Sequence, residues 1–319
     1  MKRILAVTLC IIVIASLSAC GVNRSDNGKL SIVTTVFPEY DWVRQICGED
    51  TKNADITMLL NNGIDFHSYQ PTADDIIKIS TSDMFIYVGG ESDEWVEDVL
   101  AQAKNKDIVV INLLEVLGKD VKEEEIKEGM QAEEEEDSEE VEYDEHIWLS
   151  LKNAVKICRY IADKLGEIDT DNKDAYTANA EAYIEKLNAL DGEYERAVSS
   201  ANTKTLLFGD RFPFRYLTDD YGLNYYAAFA GCSAESEASF ETVVFLANKV
   251  DELGLKAILQ IESTNGKIAE TVKNQSKDKN QKILTLNSLQ SVTLKDVAGG
   301  VTYLSVMEEN LQILKEALK

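Results

Sequence analysis

The chain has 319 residues, 45% of them apolar and only 3 of them proline, which is enough for two domains of ordinary size around a substantial core. A formal net charge of −25 argues against nucleic acid as a partner, because phosphates would be repelled, and it favours cations. About half of that charge sits in one stretch, where 15 acidic residues between Asp120 and Glu145 face only Lys122 and Lys127.

Lys2 and Arg3 precede an apolar run from Ile4 to Leu17, too short for a membrane span and ending in small residues, which is the pattern of a secretory signal. The sequence LSAC at Leu17–Cys20 resembles the bacterial lipobox, which implies that residues 1–20 are a lipoprotein signal segment whose Cys20 is lipidated and becomes the mature N-terminus. The polar tether GVNRSDNGK follows. The expected location is therefore extracytoplasmic, anchored to the cell membrane by lipid.

From 21 to 168 the chain alternates β-like and helical segments. Strands are predicted at Leu30–Phe37, Ala54–Leu60, Asp83–Gly89 and Asp107–Leu114, with helices after the first, at Ala73–Ile79 and near Glu94–Lys104. Strands separated by helices of this length imply a parallel sheet with crossover helices. The acidic stretch 120–145 interrupts the alternation and reads as a disordered loop, since a block of like charge repels itself. Such a loop would also gather cations weakly at its mouth. A helix resumes near Leu151.

Residues 169–201 form the linking segment, with roughly thirty residues of helical character from Asp171 to Ala201. Tyr176, Ala180, Tyr183, Leu187, Leu190 and Tyr194 recur near a 3.6-residue period. From 202 to 319 the alternation returns, with strands at Lys204–Gly209, Asn224–Phe229, Lys256–Ile261 and Lys282–Leu286. Helices are predicted at Arg215–Tyr221, Phe240–Leu253, Gly266–Asn274 and Gly299–Leu318. The fold class is α/β, two parallel-sheet lobes joined by one long rigid helix.

No phosphate-binding glycine loop, nucleophile elbow or H-E-x-x-H pair is present, so binding is favoured over catalysis and no enzyme activity is expected. A zinc hydrolase with an open coordination position is a distant third reading, because no general base is evident beside the histidines. The two histidines in the chain, His67 and His146, both stand at loop-to-element junctions where an imidazole can be aimed at a ligand. His67 follows a predicted parallel strand, the end at which open α/β sheets bind. Cys47, Cys158 and Cys232 are odd in number and show no metal-binding spacing; a Cys47–Cys158 bridge or three buried thiols both fit.

The segment NNGIDFHSYQPTADDIIKISTSDMFIYVGGESDEW resembles the first metal-ligand segment of the zinc/manganese-binding lipoproteins of bacterial ABC importers, and DEHIWLSLKNA resembles their second. The likeness extends over nearly the whole chain after Cys20, including TTVFPEYDWVRQI. It implies a monomeric solute-binding protein that takes zinc, or less readily manganese, as its bound solute and passes it to an ABC permease and its ATPase. It also implies that His67 and His146 face one site between the lobes, and that the loop before the second segment is charged.

The family's third ligand, His or Glu, has no counterpart here. Arg211 stands opposite that place, and a guanidinium offers no lone pair. Asp210 is the expected substitute, with a capping role as its alternative and Glu235 and Glu237 as fallbacks. Asn287 stands near the usual fourth ligand, an aspartate, where it could orient a water or a neighbouring ligand. These departures leave a second reading open, an adhesin or scaffold lipoprotein on a degenerate metal-binding fold.

Overall fold

A computed structural model of the chain describes residues 28–48, 52–131, 142–233 and 237–319. The signal segment, Cys20 and Glu235 lie outside these residues. Strands β1 (Leu30–Thr34), β2 (Ala54–Met58), β3 (Met84–Tyr87) and β4 (Val109–Asn112) form an all-parallel sheet in the order β2-β1-β3-β4. Strands β5 (Thr205–Phe212), β6 (Asn224–Ala230), β7 (Ala257–Gln260) and β8 (Lys282–Thr285) form a second one, ordered β6-β5-β7-β8. The two halves thus share one topology, with β6 in the place of β2. Central strands are buried on both faces, as parallel sheets require, which explains runs such as Met84–Ile86 with no polar alternation.

Helix α1 (Phe37–Cys47) ends at Gly48, whose φ of +90° suits a residue without a side chain. Helices α2 (Ala73–Thr81) and α3 (Trp95–Ala101) complete the crossovers of the first half, and α4 (Leu113–Leu117) follows its last strand. Helix α5 (Leu151–Ile168) starts at Ser150, whose hydroxyl accepts from the N–H of Asn153. In the second half lie α7 (Arg215–Tyr221), α8 (Phe240–Leu253), α9 (Lys267–Gln275), α10 (Leu294–Ala298) and α11 (Tyr303–Ala317). The terminal helix starts later than the periodicity suggests. Gly300 takes φ +99°, and Thr302 accepts from the N–H of Ser305, so the chain breaks after α10 and restarts.

Between the halves runs α6 (Lys173–Ser199), 27 residues and so about 40 Å long. All six residues of its predicted apolar stripe are buried. It packs on α1 and α5 at one end and on α11 and α7 at the other. There the Tyr194 hydroxyl donates to the Met307 carbonyl at 2.6 Å, and its ring stacks on Tyr221 at 5.1 Å. One hydrophobic core runs from Leu30 to Leu318 through both halves; a smaller one lies between the second sheet and α8 and α9. Among the described residues no helix is long and apolar enough to cross a membrane.

Two expectations need correction. The acidic stretch is ordered at both ends, because Val121 and Met130 pack on the core and let the carboxylates point away. Its two limbs pair antiparallel: Glu124 N–H donates to the Glu142 carbonyl and Asp144 N–H to that of Lys122. The first limb docks on the second sheet, with the Gln131 N–H on the Ala228 carbonyl and the Lys127 ammonium 3.7 Å from the centre of the Tyr225 ring. Residues 132–141 lie outside the described part. Strand β5, secondly, runs on past Gly209 to Phe212, with a bulge between Phe208 and Arg211. Cys47, Cys158 and Cys232 carry no disulfide.

Candidate metal centre

His67 lies in a single 3₁₀ turn, Phe66–Ser68, beyond the carboxyl end of β2. Asp65 caps that turn by accepting from the His67 N–H at 3.1 Å, while the buried Phe66 ring anchors it against Trp148. His146 closes the second acidic limb. Asp144 fixes it twice through one carboxylate oxygen, which accepts from its backbone N–H at 2.9 Å and pairs with Nδ1 at 3.1 Å. Trp148, fully buried, ties this segment to the second half through Nε1 on the Ser288 carbonyl at 2.8 Å.

The two Nε2 atoms stand 3.2 Å apart. Each opposite ring nitrogen is engaged: Nδ1 of His67 lies 2.9 Å from the Ser92 hydroxyl and 3.3 Å from Glu145, and Nδ1 of His146 is on Asp144. Ser92 donates its own proton to Glu145 at 2.5 Å, so its oxygen is left to accept from the imidazole. Protons held at both Nδ1 positions put two Nε2 lone pairs face to face, an arrangement that repels unless something positive lies between them. Two nitrogens bound to one tetrahedral zinc are separated by ~3.3–3.4 Å. A carboxylate behind each imidazole is also how metal-binding histidines are oriented and made more basic. Burial opposes ionisation of Glu145, but its hydrogen bonds with His67 and Ser92 carry it below the usual carboxylate range.

A third donor joins them. Among the described residues, His67, His146 and Cys232 offer ligand atoms that all lie within 4.8 Å of one another. Cys232 follows β6 by two residues, and its N–H donates to Glu124 on the first acidic limb at 3.0 Å. Gly231 packs so closely that a Cβ there would fall 3.1 Å from Cε1 of His146 and 2.9 Å from the Phe212 carbonyl oxygen. His67 and Cys232 open onto a cleft of about 210 Å³ rimmed by Glu91, Glu124 and Glu142, whereas His146 lies fully buried behind them.

Asp210 is not brought into this group. Its carboxylate accepts from the N–H groups of Ile261 and Arg211 at 3.1 and 2.9 Å, on the β7 side of the bulge. Burial raises its pKa, offset by those bonds and the Thr264 hydroxyl. Asn287 directs its side-chain oxygen to the Leu289 N–H at 2.8 Å, and Glu237 is exposed outside the group. Arg211 instead spans the seam: its guanidinium donates to Asp65 at 2.6 Å and to the Ser233 carbonyl at 3.2 Å. Burial works against ionised Asp65, yet Arg211 carries it below the ordinary range. Cys232 escaped the sequence reading because a single cysteine has no spacing signal. Its place just beyond the carboxyl end of a strand was the available clue.

Two parallel-sheet lobes on one long helix, with nitrogen and sulfur donors meeting in the seam, define a solute-binding protein of the metal-binding type. The chain belongs to the family described as zinc-uptake complex component A, periplasmic, whose model matches residues 32–317. It is 33% identical over 322 residues to the zinc-binding lipoprotein AdcA of Streptococcus pneumoniae, covering 99% of this chain and 61% of that protein. The chain therefore spans about three fifths of that relative's length. It is 28% identical over 324 residues to the high-affinity zinc uptake system protein ZnuA of Bacillus subtilis, covering 98% of this chain and 96% of that one. Among solved structures, the Zn(II)-bound ZnuA-like domain of S. pneumoniae AdcA superimposes with a TM-score of 0.71 at 31% identity, covering 91% of this chain and 99% of that one.

Proposed function

We propose that this protein captures zinc outside the cytoplasmic membrane, held there by a lipid on Cys20, and delivers it as a monomer to an ABC permease driven by its ATPase. The observation that carries this reading is the pair of Nε2 atoms 3.2 Å apart, each backed by a carboxylate-bound Nδ1. Zinc-binding relatives of matching length and fold support it. Residues 21–168 and 202–319 act as the lobes and 169–201 as the linking helix. His67 and His146 are the ligands. Asp210 and Asn287 are left outside the ligand set, because their oxygens already serve backbone N–H groups. No chemical turnover is involved; the work comes from the transporter.

The adhesin reading drew its strength from missing donors, and Cys232 weakens that ground. Titration calorimetry on the purified, metal-stripped protein should give one zinc per chain, with manganese bound more weakly. Replacing both His67 and His146 by alanine should abolish the zinc isotherm. Stoichiometric zinc retained by the double variant would end the proposal.

A further inference from the structure

We infer that Cys232 is the third ligand of this site, making it a two-imidazole, one-thiolate centre that selects zinc and similarly soft divalent ions against manganese. The inference rests on the proposal that His67 and His146 hold the cation. Its own support is positional. The sulfur lies within 4.8 Å of both imidazole donor atoms, and a tetrahedral zinc with ordinary Zn–N and Zn–S lengths sets such atoms ~3.6 Å apart. A closure of about an ångström at most completes three corners of the tetrahedron.

The surrounding chain is built to hold the sulfur there. Gly231 lets the loop press on the His146 ring, Glu124 fixes the Cys232 N–H, and Arg211 grips the next carbonyl, Ser233. The other end of Arg211 holds Asp65, the cap of the His67 turn, so one guanidinium ties two donor segments to each other. Topology repeats the logic: His67 follows β2 and Cys232 follows β6, the equivalent strands of the two halves.

On metal entry the thiol loses its proton to solvent and the sulfur forms the metal bond, while both imidazoles coordinate as neutral donors. The fourth corner faces the acidic cleft, where water can complete the shell. Thiolate favours zinc, cadmium and cobalt, whereas manganese prefers oxygen donors, so this sulfur sets the preference among cations.

Cobalt(II) reports the ligand directly. The cobalt-loaded native protein should show a sulfur-to-cobalt charge-transfer band in the near ultraviolet. Cys232→Ser should lose that band, keep the visible ligand-field bands, and bind zinc more weakly by at least the ~10–100-fold that lost supporting contacts cost metal sites. Its manganese affinity should hold or rise, since serine replaces the sulfur with the oxygen donor which that ion prefers. A cobalt-loaded native protein without the band overturns the inference, and that arm needs no folded variant. Cys232→Ser with an unchanged zinc-to-manganese ratio overturns it too. Either result leaves zinc capture standing provided the double histidine variant is metal-free. Zinc retained by that double variant instead brings down capture and, with it, the inference that rests on it.

Discussion

Asp93 shows what the site demands of its surroundings at the scale of one residue. It closes the turn that presents Ser92 to His67, and it is buried with only 3% exposure. Burial first, and then the charge of Glu145, push its carboxyl up to about 7, despite N–H groups from Gly89 and Val88. In the unfolded chain an aspartate titrates near ~3.9. The native state therefore binds more protons between those values, and stability from this group is greatest at low pH and falls as pH rises through 7. Asp93→Asn keeps an acceptor for the Gly89 N–H and removes the charge. It should melt several degrees above the native protein at pH 8, with the gap closing towards pH 5, in thermal scans at both pH values. An equal gap at both would show that charge is not the cause. The histidines were legible in the sequence because imidazoles are so scarce here. Asp93, Ser92 and Glu145 were not, since a carboxylate in an acidic chain stands out only when its neighbours in space are known.

Among the elements, β5 decides which side chain reaches the seam. The bulge between Phe208 and Arg211 shifts its register against β6, and the two adjacent charged residues serve different neighbours. Asp210 satisfies the N–H of Ile261, and Arg211 reaches Asp65. Sequence alone locates the strand and both residues; Gly209 is its one mark of the slip, and a lone glycine in a strand signals a bulge or a close backbone approach without saying which, or which neighbouring side chain then reaches the seam. Arg211→Ala deletes no donor atom, so zinc stoichiometry should stay at one per chain. Affinity should fall by about tenfold, near 1.4 kcal/mol, as the His67 turn and the Cys232 loop lose their common tie. Lysine should restore little of it, because a point charge cannot serve both acceptors in the fixed geometry of a guanidinium. Calorimetry on the three proteins checks this, and an unchanged affinity in the alanine variant would make Arg211 a bystander.

For the whole molecule, periodicity and strand spacing were sufficient to read two parallel sheets and one long helix, since those features depend on burial patterns that any chain must obey. Strand order within each sheet was not read, and neither was the docking of the acidic limbs, which depends on a few interleaved apolar residues. Residues 133–140 carry seven acidic side chains between limbs that already pair at Glu124 and Glu142. Replacing 133–140 with a short glycine-rich turn should leave the melting temperature and the bound zinc unchanged. It should slow zinc association at low ionic strength, with the difference fading towards physiological salt, where screening acts within ~8–10 Å. Stopped-flow traces with a zinc indicator at two salt concentrations test this; equal rates at low salt would reduce the stretch to a spacer. The three candidate donors are held differently across the seam: His67 follows β2 of the first sheet, Cys232 follows β6 of the second, and His146 sits in a segment bonded to both, through Glu145 to Ser92 and through Trp148 to Ser288. On the proposed ligand set, parting the halves by an ångström or two would lengthen at least one protein–metal bond and leave the ion more dependent on water, so a transporter docked across the seam would loosen the cargo by a slight lever action, without unfolding anything.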